Sequence, residues 1–204
     1  MSEADRVDGG VDSGRRHFLV VATTVTGVAG AAMTAVPFLA SWKPSARAQA
    51  LGAPVEADIS KLDPGAMIKV MWRGMAIYLV HRTPEMRAKL DSPELTSRLK
   101  DPESKDSEQP KYAKNSARAL NPEWLVLIGV CTHLGCAPMN RFQPADPELG
   151  ADWPGGFYCP CHGSKFDLSG RVFKDVPAPL NLKVPPYRFM NDGVVQIGVD
   201  SEVS

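Results

Sequence analysis

All four cysteines and two of the four histidines fall within the 32 residues from Cys131 to His162. They occupy two loops, Cys131-Thr132-His133-Leu134-Gly135-Cys136 and Cys159-Pro160-Cys161-His162-Gly163-Ser164. Whatever fold the chain adopts must bring these two turns together around one centre. Structural zinc sites usually draw like ligands from each knuckle. Here each loop offers one thiolate and one imidazole, plus a further cysteine. That division suits a two-metal cluster in which one iron takes both thiolates and the other takes both imidazoles. Turns rich in Gly and Pro also free backbone N–H groups to donate to negatively charged bridging sulfides. Cys136 and Cys161 hold equivalent places in the two loops. A disulfide between them would clamp the lobes and would persist in an oxidising compartment. Two alternatives stand beside this: a pair of free buried thiols, or four cysteines on zinc with the histidines as bystanders.

The other constraint lies near the amino terminus. From Phe18 to Trp42 there are 25 residues without Lys, Arg, His, Asp or Glu. As a helix this run is about 37 Å long, enough to cross a hydrocarbon core of ~30 Å. Pro37 sits near its far end, and Trp42 and Lys43 stand where an interfacial anchor belongs. Ser13-Gly14-Arg15-Arg16-His17-Phe18-Leu19, just ahead of it, has the form of a twin-arginine export signal. That route carries chains already folded, which suits a cofactor inserted in the cytoplasm. Arg6, Arg15 and Arg16 before the span, against Lys43 and Arg47 after it, favour an inside amino terminus. His17 reads as part of the signal. The span reads as a retained anchor, with cleavage at Ala46-Arg47-Ala48 or Ala48-Gln49-Ala50 as the alternative. Residues 43–58, with Pro44, Gly52, Pro54 and no clear period, read as a tether.

Beyond the tether the pattern is that of short strands. Ile68-Lys69-Val70-Met71-Trp72 alternates, and Gly74 leads into Ile77–Val80 as a hairpin, with His81 as an ordinary strand-end residue. Strand character returns at 124–130, 157–158, 171–173, 182–184 and 194–199, and Asn191-Asp192-Gly193 makes a hairpin turn. From Arg82 to Arg118, 16 of 37 residues are charged. There Thr83-Pro84-Glu85 and Ser92-Pro93-Glu94 start short exposed helices in a solvated insertion. The expected fold is mainly β: one transmembrane helix and an antiparallel sandwich head. Lys+Arg and Asp+Glu balance at 23 each, which gives no reason to propose a nucleic-acid partner.

The sequences C-T-H-L-G-C and C-P-C-H-G-S, with the anchor, the Ala-rich hinge and Pro177-Ala178-Pro179, resemble the Rieske iron–sulfur proteins of cytochrome bc complexes, the proteobacterial type most. The resemblance implies one 2Fe-2S cluster, with Cys131 and Cys159 on one iron and His133 and His162 on the other. It implies a Cys136–Cys161 disulfide, a Ser164 hydroxyl donated to a bridging sulfide, and Leu134 at the tip that meets cytochrome b. His162 would be the quinol-facing ligand. The chain would then oxidise ubiquinol and pass the electron to a c-type cytochrome, as one subunit of a quinol–cytochrome c reductase that is a dimer. The implied organisation is a cytoplasmic terminus at 1–17, a membrane helix at 18–42, a hinge at 43–58 and a periplasmic head at 59–204, with the cluster-binding part at about 124–180. The location would be the cell inner membrane. A Rieske protein of another oxidoreductase is the nearest alternative, and a zinc-stabilised exported module the more distant one.

Two departures from the family pattern stand out. Phe166 occupies a position where relatives often carry a Tyr that donates to a ligand sulfur, so a lower reduction potential is expected. The 25 residues between His133 and Cys159 form a longer connection than in many relatives, with 141–156 expected as an added surface loop.

Overall fold

The computed structural model describes residues 12–200, which form two compact units divided after Gln49. Arg6, one of the basic residues counted before the span, lies outside the described residues.

The first unit is essentially α1, Ser13–Ser41, twenty-nine residues long. Asp12 caps it by accepting from the N–H groups of Gly14 and Arg15, so the twin arginines lie in its first turn. Thr23, Thr24, Thr26 and Thr34 each donate their hydroxyl to the carbonyl four residues back. An otherwise apolar helix thus shows few free donors to lipid. Pro37 falls in the last turns, where the hydrogen bond it removes is cheapest.

The tether expected at 43–58 is shorter and more structured than its composition suggested. Ala46–Gly52 forms α2, started by the Ser45 hydroxyl accepting from the Ala48 N–H and favoured by its Ala, Arg, Gln and Leu residues. Val55–Asp58 is a strand, β1, because Ala57 is buried against the head and every residue of it pairs with a last-strand partner. β1, within the segment read as tether, thus pairs into the sheets of the second unit.

The head consists of three antiparallel three-stranded sheets. The first has order β1-β9-β8, with β8 at Tyr187–Asn191 and β9 at Val194–Ile197. The central one runs β2-β3-β4, with β2 at Met67–Trp72, β3 at Met75–His81 and β4 at Trp124–Ile128. The third is β5-β6-β7, at Met139–Arg141, Gly156–Cys159 and Ser164–Phe166. Residues 77–80 and 125–128 are buried throughout, so the central strands carry apolar side chains on both faces rather than alternating. Tyr78 stacks on Phe157 of the third sheet at 6.0 Å, while the Trp72 indole lies against Gly198, just past β9. A single core runs through all three sheets.

Two expected strands are not ladders. Arg171–Phe173 makes only isolated bridges, Val172 to Phe166 and Phe173 to Leu99. Leu182–Val184 lies between Pro179 and the pair Pro185-Pro186, whose missing N–H groups stop a ladder. Instead the Leu182 and Val184 N–H groups donate to the Gly170 and Glu108 carbonyls, and the Lys183 carbonyl accepts from the Ile128 N–H.

Both expected surface insertions are packed. Within 82–118, α3 (Pro84–Ala88) and α4 (Pro93–Ser97) are capped by Thr83 and Ser92 as expected. Yet Leu90, Leu95, Leu99, Ala113, Arg82 and Arg118 are all buried, so this segment is a wall of the head and not a solvated insertion. Trp153 pins the 141–156 segment: it is buried with Leu95, Leu99 and Phe173, and its indole N–H donates to the Arg141 carbonyl at 2.9 Å. Charge density along the chain hid the apolar residues that fasten each segment.

Candidate metal centre

The first loop leaves β4 through Gly129. A side chain there would fall 2.2 Å from the Tyr78 ring, so only glycine lets the chain turn over that ring. The second loop is the hairpin end of β6 and β7, where Cys159 and Ser164 are cross-strand partners. Both loops make the same turn. The Gly135 N–H donates to the Cys131 carbonyl and the Gly163 N–H to the Cys159 carbonyl, each at 3.0 Å. Gly135 and Gly163 sit at φ of +84° and +78°, the left-handed region that other residues enter only at a cost. In this alignment Cys131 matches Cys159, but Cys136 matches Ser164. Cys136 and Cys161 are therefore not at equivalent places, contrary to the reading of the sequence.

Cys136 and Cys161 nonetheless form a disulfide, with Cα atoms 6.6 Å apart. Cys131 and Cys159 are free and buried. The sulfurs of Cys136, Cys159 and Cys161 lie within 4.8 Å of one another, but two of them are joined and offer no thiolate. Burial pushes the Cys131 thiol above its ordinary range, the neighbouring Cys159 adds to this, and the His133 N–H and the Ser164 hydroxyl oppose it. The Cys131 sulfur thus meets Cys159, Ser164 and a backbone donor together. His133 and His162 approach to 4.8 Å between ring centroids with planes at 87°. His133 is half-buried and His162 exposed, so the thiols face inward and the imidazoles outward. Leu134 stands at the surface, 71% exposed.

Support comes from Thr132 and Tyr78, which the sequence reading passed over, and from Ser164. Thr132 donates its hydroxyl to the Leu180 carbonyl at 2.6 Å, and the Ser164 hydroxyl accepts from the Ala178 N–H at 3.1 Å. The Pro177-Ala178-Pro179 segment is thereby tied to both loops. Tyr78 donates to the Pro138 carbonyl at 2.8 Å and holds the chain leaving Cys136. Burial, then the nearby Cys159, raises its phenol above the ordinary range. Tyr78 looked like one more strand residue, and only its cross-strand place opposite Leu127 carries it under the loop. Phe166 is fully buried opposite Phe157. His81, expected to be structural, stacks on Trp124 and meets Glu123 at 2.8 Å, away from the loops.

Two free buried thiols, two adjacent imidazoles, and loop backbones turned by glycines suit a cluster with unlike ligands on its two irons. The donor set fits such a group.

Residues 106–186 match the Rieske 2Fe-2S domain, and residues 7–45 match the TAT signal of the ubiquitinol-cytochrome C reductase Fe-S subunit. The chain is 56% identical over 191 residues to the ubiquinol-cytochrome c reductase iron-sulfur subunit of Allochromatium vinosum, covering 94% of this chain and 91% of that one. It is 41% identical to the subunit of the same name from Bradyrhizobium diazoefficiens, over 90% of this chain and 94% of that one. With the Rhodospirillum rubrum subunit it shares 40% identity, over 97% of this chain and the whole of that one.

Proposed function

Because the chain belongs to the ubiquinol–cytochrome c reductase iron–sulfur subunits, we infer that it is the electron-transfer subunit of a respiratory cytochrome bc complex. It takes an electron from quinol and delivers it to a c-type cytochrome, with cytochrome b as its other partner. Its cofactor is one Rieske 2Fe-2S cluster, and α1 anchors it to the membrane.

In our reading Cys131 and Cys159 would hold one iron and His133 and His162 the other. The observation that carries this is the placement of the four side chains: thiols buried together, rings adjacent and outward. When bound, the group supplies one-electron chemistry at roughly −150 to +300 mV, against about −400 mV for plant-type ferredoxins. Neutral imidazoles in place of thiolates lower its negative charge, which makes quinol oxidation accessible. His162, the more exposed ring, keeps an unligated nitrogen that accepts the quinol hydrogen bond and holds the proton. Leu134, exposed on the other loop next to His133, is part of the face that meets cytochrome b. Ser164 serves the cluster by directing its hydroxyl proton at a sulfide while its oxygen accepts from Ala178.

The twin arginines and the single apolar span support a reading in which the head lies on the periplasmic side of the inner membrane, within a dimeric complex. Residues 1–17 remain cytoplasmic and 18–42 cross the bilayer. The segment between Ser41 and Val55 is the tether that lets the head visit both redox partners. A helix as short as α2 has little stability by itself, which suits that role. Purification from detergent tests the assignment: cytochrome b and a c-type haem should accompany the chain. A chain that co-purifies with neither would return the alternative of a Rieske protein serving another oxidoreductase.

A further inference from the structure

Three arginines lie in the interior of the head: Arg82, Arg118 and Arg171, none more than 1% exposed. Buried guanidinium groups are ordinarily matched by carboxylates. One fully buried carboxylate faces them, Asp167, and it is engaged by Arg171 at 2.8 Å. The half-buried Asp101 acts on Arg118 only at longer range. The Arg82 hydrogen bonds go to neutral groups: its Nη1 donates to the Ala117 carbonyl, the Leu168 carbonyl and the Ser169 hydroxyl at 2.8, 3.3 and 3.1 Å. Arg118 donates to the carbonyls of Ser169 and Gly170 and to the Gln109 side chain. Carbonyl dipoles solvate these cations, but the local charge stays positive. Burial brings Arg82 and Arg118 down to about 10, which leaves both charged at neutral pH.

All three side chains converge on one turn, Asp167–Arg171, and that turn directly continues β7, whose Ser164 is paired with Cys159. At ~3.3 Å per residue the turn begins about 10 Å along the chain from Ser164. The Arg82 and Arg118 contacts, at residues 168–170, follow one to three residues later. Charge buried inside the head acts through protein rather than water and is weakly screened by salt. One-electron reduction adds one negative charge to the centre. A fixed positive field therefore favours the reduced form and raises the potential.

We propose that Arg82 and Arg118 are positioning residues with an electrostatic role: they fasten the Asp167–Arg171 turn and hold the reduction potential of the cluster up. The inference rests on the ligand set proposed above. Its test is redox titration of the cluster signal in the detergent-purified complex carrying Arg82→Met, Arg118→Gln or Asp167→Asn. Either arginine replacement should lower the potential, and Asp167→Asn, which removes the opposing charge, should raise it. Each substitution loosens the same turn, so a purely structural role would shift all three potentials in one direction or none. Shifts of one sign, or no shifts, overturn the proposal. Should Arg82→Met fail to assemble, Arg118→Gln against Asp167→Asn makes the same comparison. If the unaltered complex gives no Rieske signal, the ligand assignment falls and this inference with it. If it titrates normally while the variants do not diverge, this inference alone falls.

Discussion

His133 and His162 hold their rings 4.8 Å apart and almost perpendicular, from two loops that make the same glycine-closed turn. Neither loop could set this arrangement alone. Cys136–Cys161 joins them covalently, and Thr132 and Ser164 tie each to the same Pro-rich segment, through Leu180 and Ala178. The centre is thus a property of the clamp between loops as much as of the ligands.

Breaking that clamp should cost both stability and cluster. The disulfide closes a sequence separation of 25, for which loop entropy gives about 3 to 4 kcal/mol. Cys136→Ser with Cys161→Ser should lower the urea midpoint accordingly and speed loss of the visible absorption on dilution. An unchanged midpoint and unchanged cluster retention would remove the clamp from the account.

The Phe166 position offers a second check. A hydrogen bond to a ligand sulfur favours the more negative, reduced state, by on the order of 1 kcal/mol or roughly 40 mV for one electron. Phe166→Tyr should raise the potential by about that much. The ring, on β7 of the third sheet opposite Phe157, is fully buried, so the added hydroxyl can reach only interior partners. A redox titration showing no rise would remove the claim.

Alkaline stability should depend on Tyr187. Its phenol is pushed up to about 12, first by burial, while the Leu120 N–H and the Arg82 charge pull the other way. The neutral form is thus favoured in the folded state, and its stabilisation is complete below pH ~10 and lost as pH rises toward 12. That loss is on the order of 2 to 3 kcal/mol. Arg82 and Arg118, lowered to about 10, give the opposite slope above that pH as their burial cost is relieved. Tyr187→Phe leaves the Leu120 N–H without its partner at every pH, but it should remove the tyrosine's negative contribution, so that stability in thermal melts changes more favourably with pH between 10 and 12 than in the parent. The same pH dependence in the variant and the parent would contradict the assignment.

Trp153→Ala should release the 141–156 segment without touching the centre. Removing a buried Trp costs about 3 to 5 kcal/mol where it fills a core, and this one shares a small cluster with Leu95, Leu99 and Phe173. Limited proteolysis should begin between Pro144 and Asp152 while the cluster spectrum remains. Protection equal to the parent chain would mean that the segment is held by other contacts.

The two Cys/His turns, the long apolar helix, the caps of α3 and α4 and the final hairpin could be read from residue order, because each is specified locally. The rest depended on long-range packing. Tyr78 and Gly129 matter through a contact between a strand and a loop that no spacing reveals. Arg82 and Arg118 looked like members of a charged, solvated run, and their burial follows only from carbonyls of residues 168–170 arriving from far along the chain. Val55–Asp58 has a single alternating pair, too short to announce a strand without β9 beside it. The match of Cys136 to Ser164 could be seen only from the backbone bonds of the two turns.

The most direct test is electron paramagnetic resonance of the purified complex, with iron and sulfide analysis, repeated for His133→Ala and His162→Ala. The account predicts a reduced 2Fe-2S signal of Rieske type in the unaltered protein and its loss in both variants. A lone zinc ion, or a centre left intact after either histidine is replaced, would contradict it.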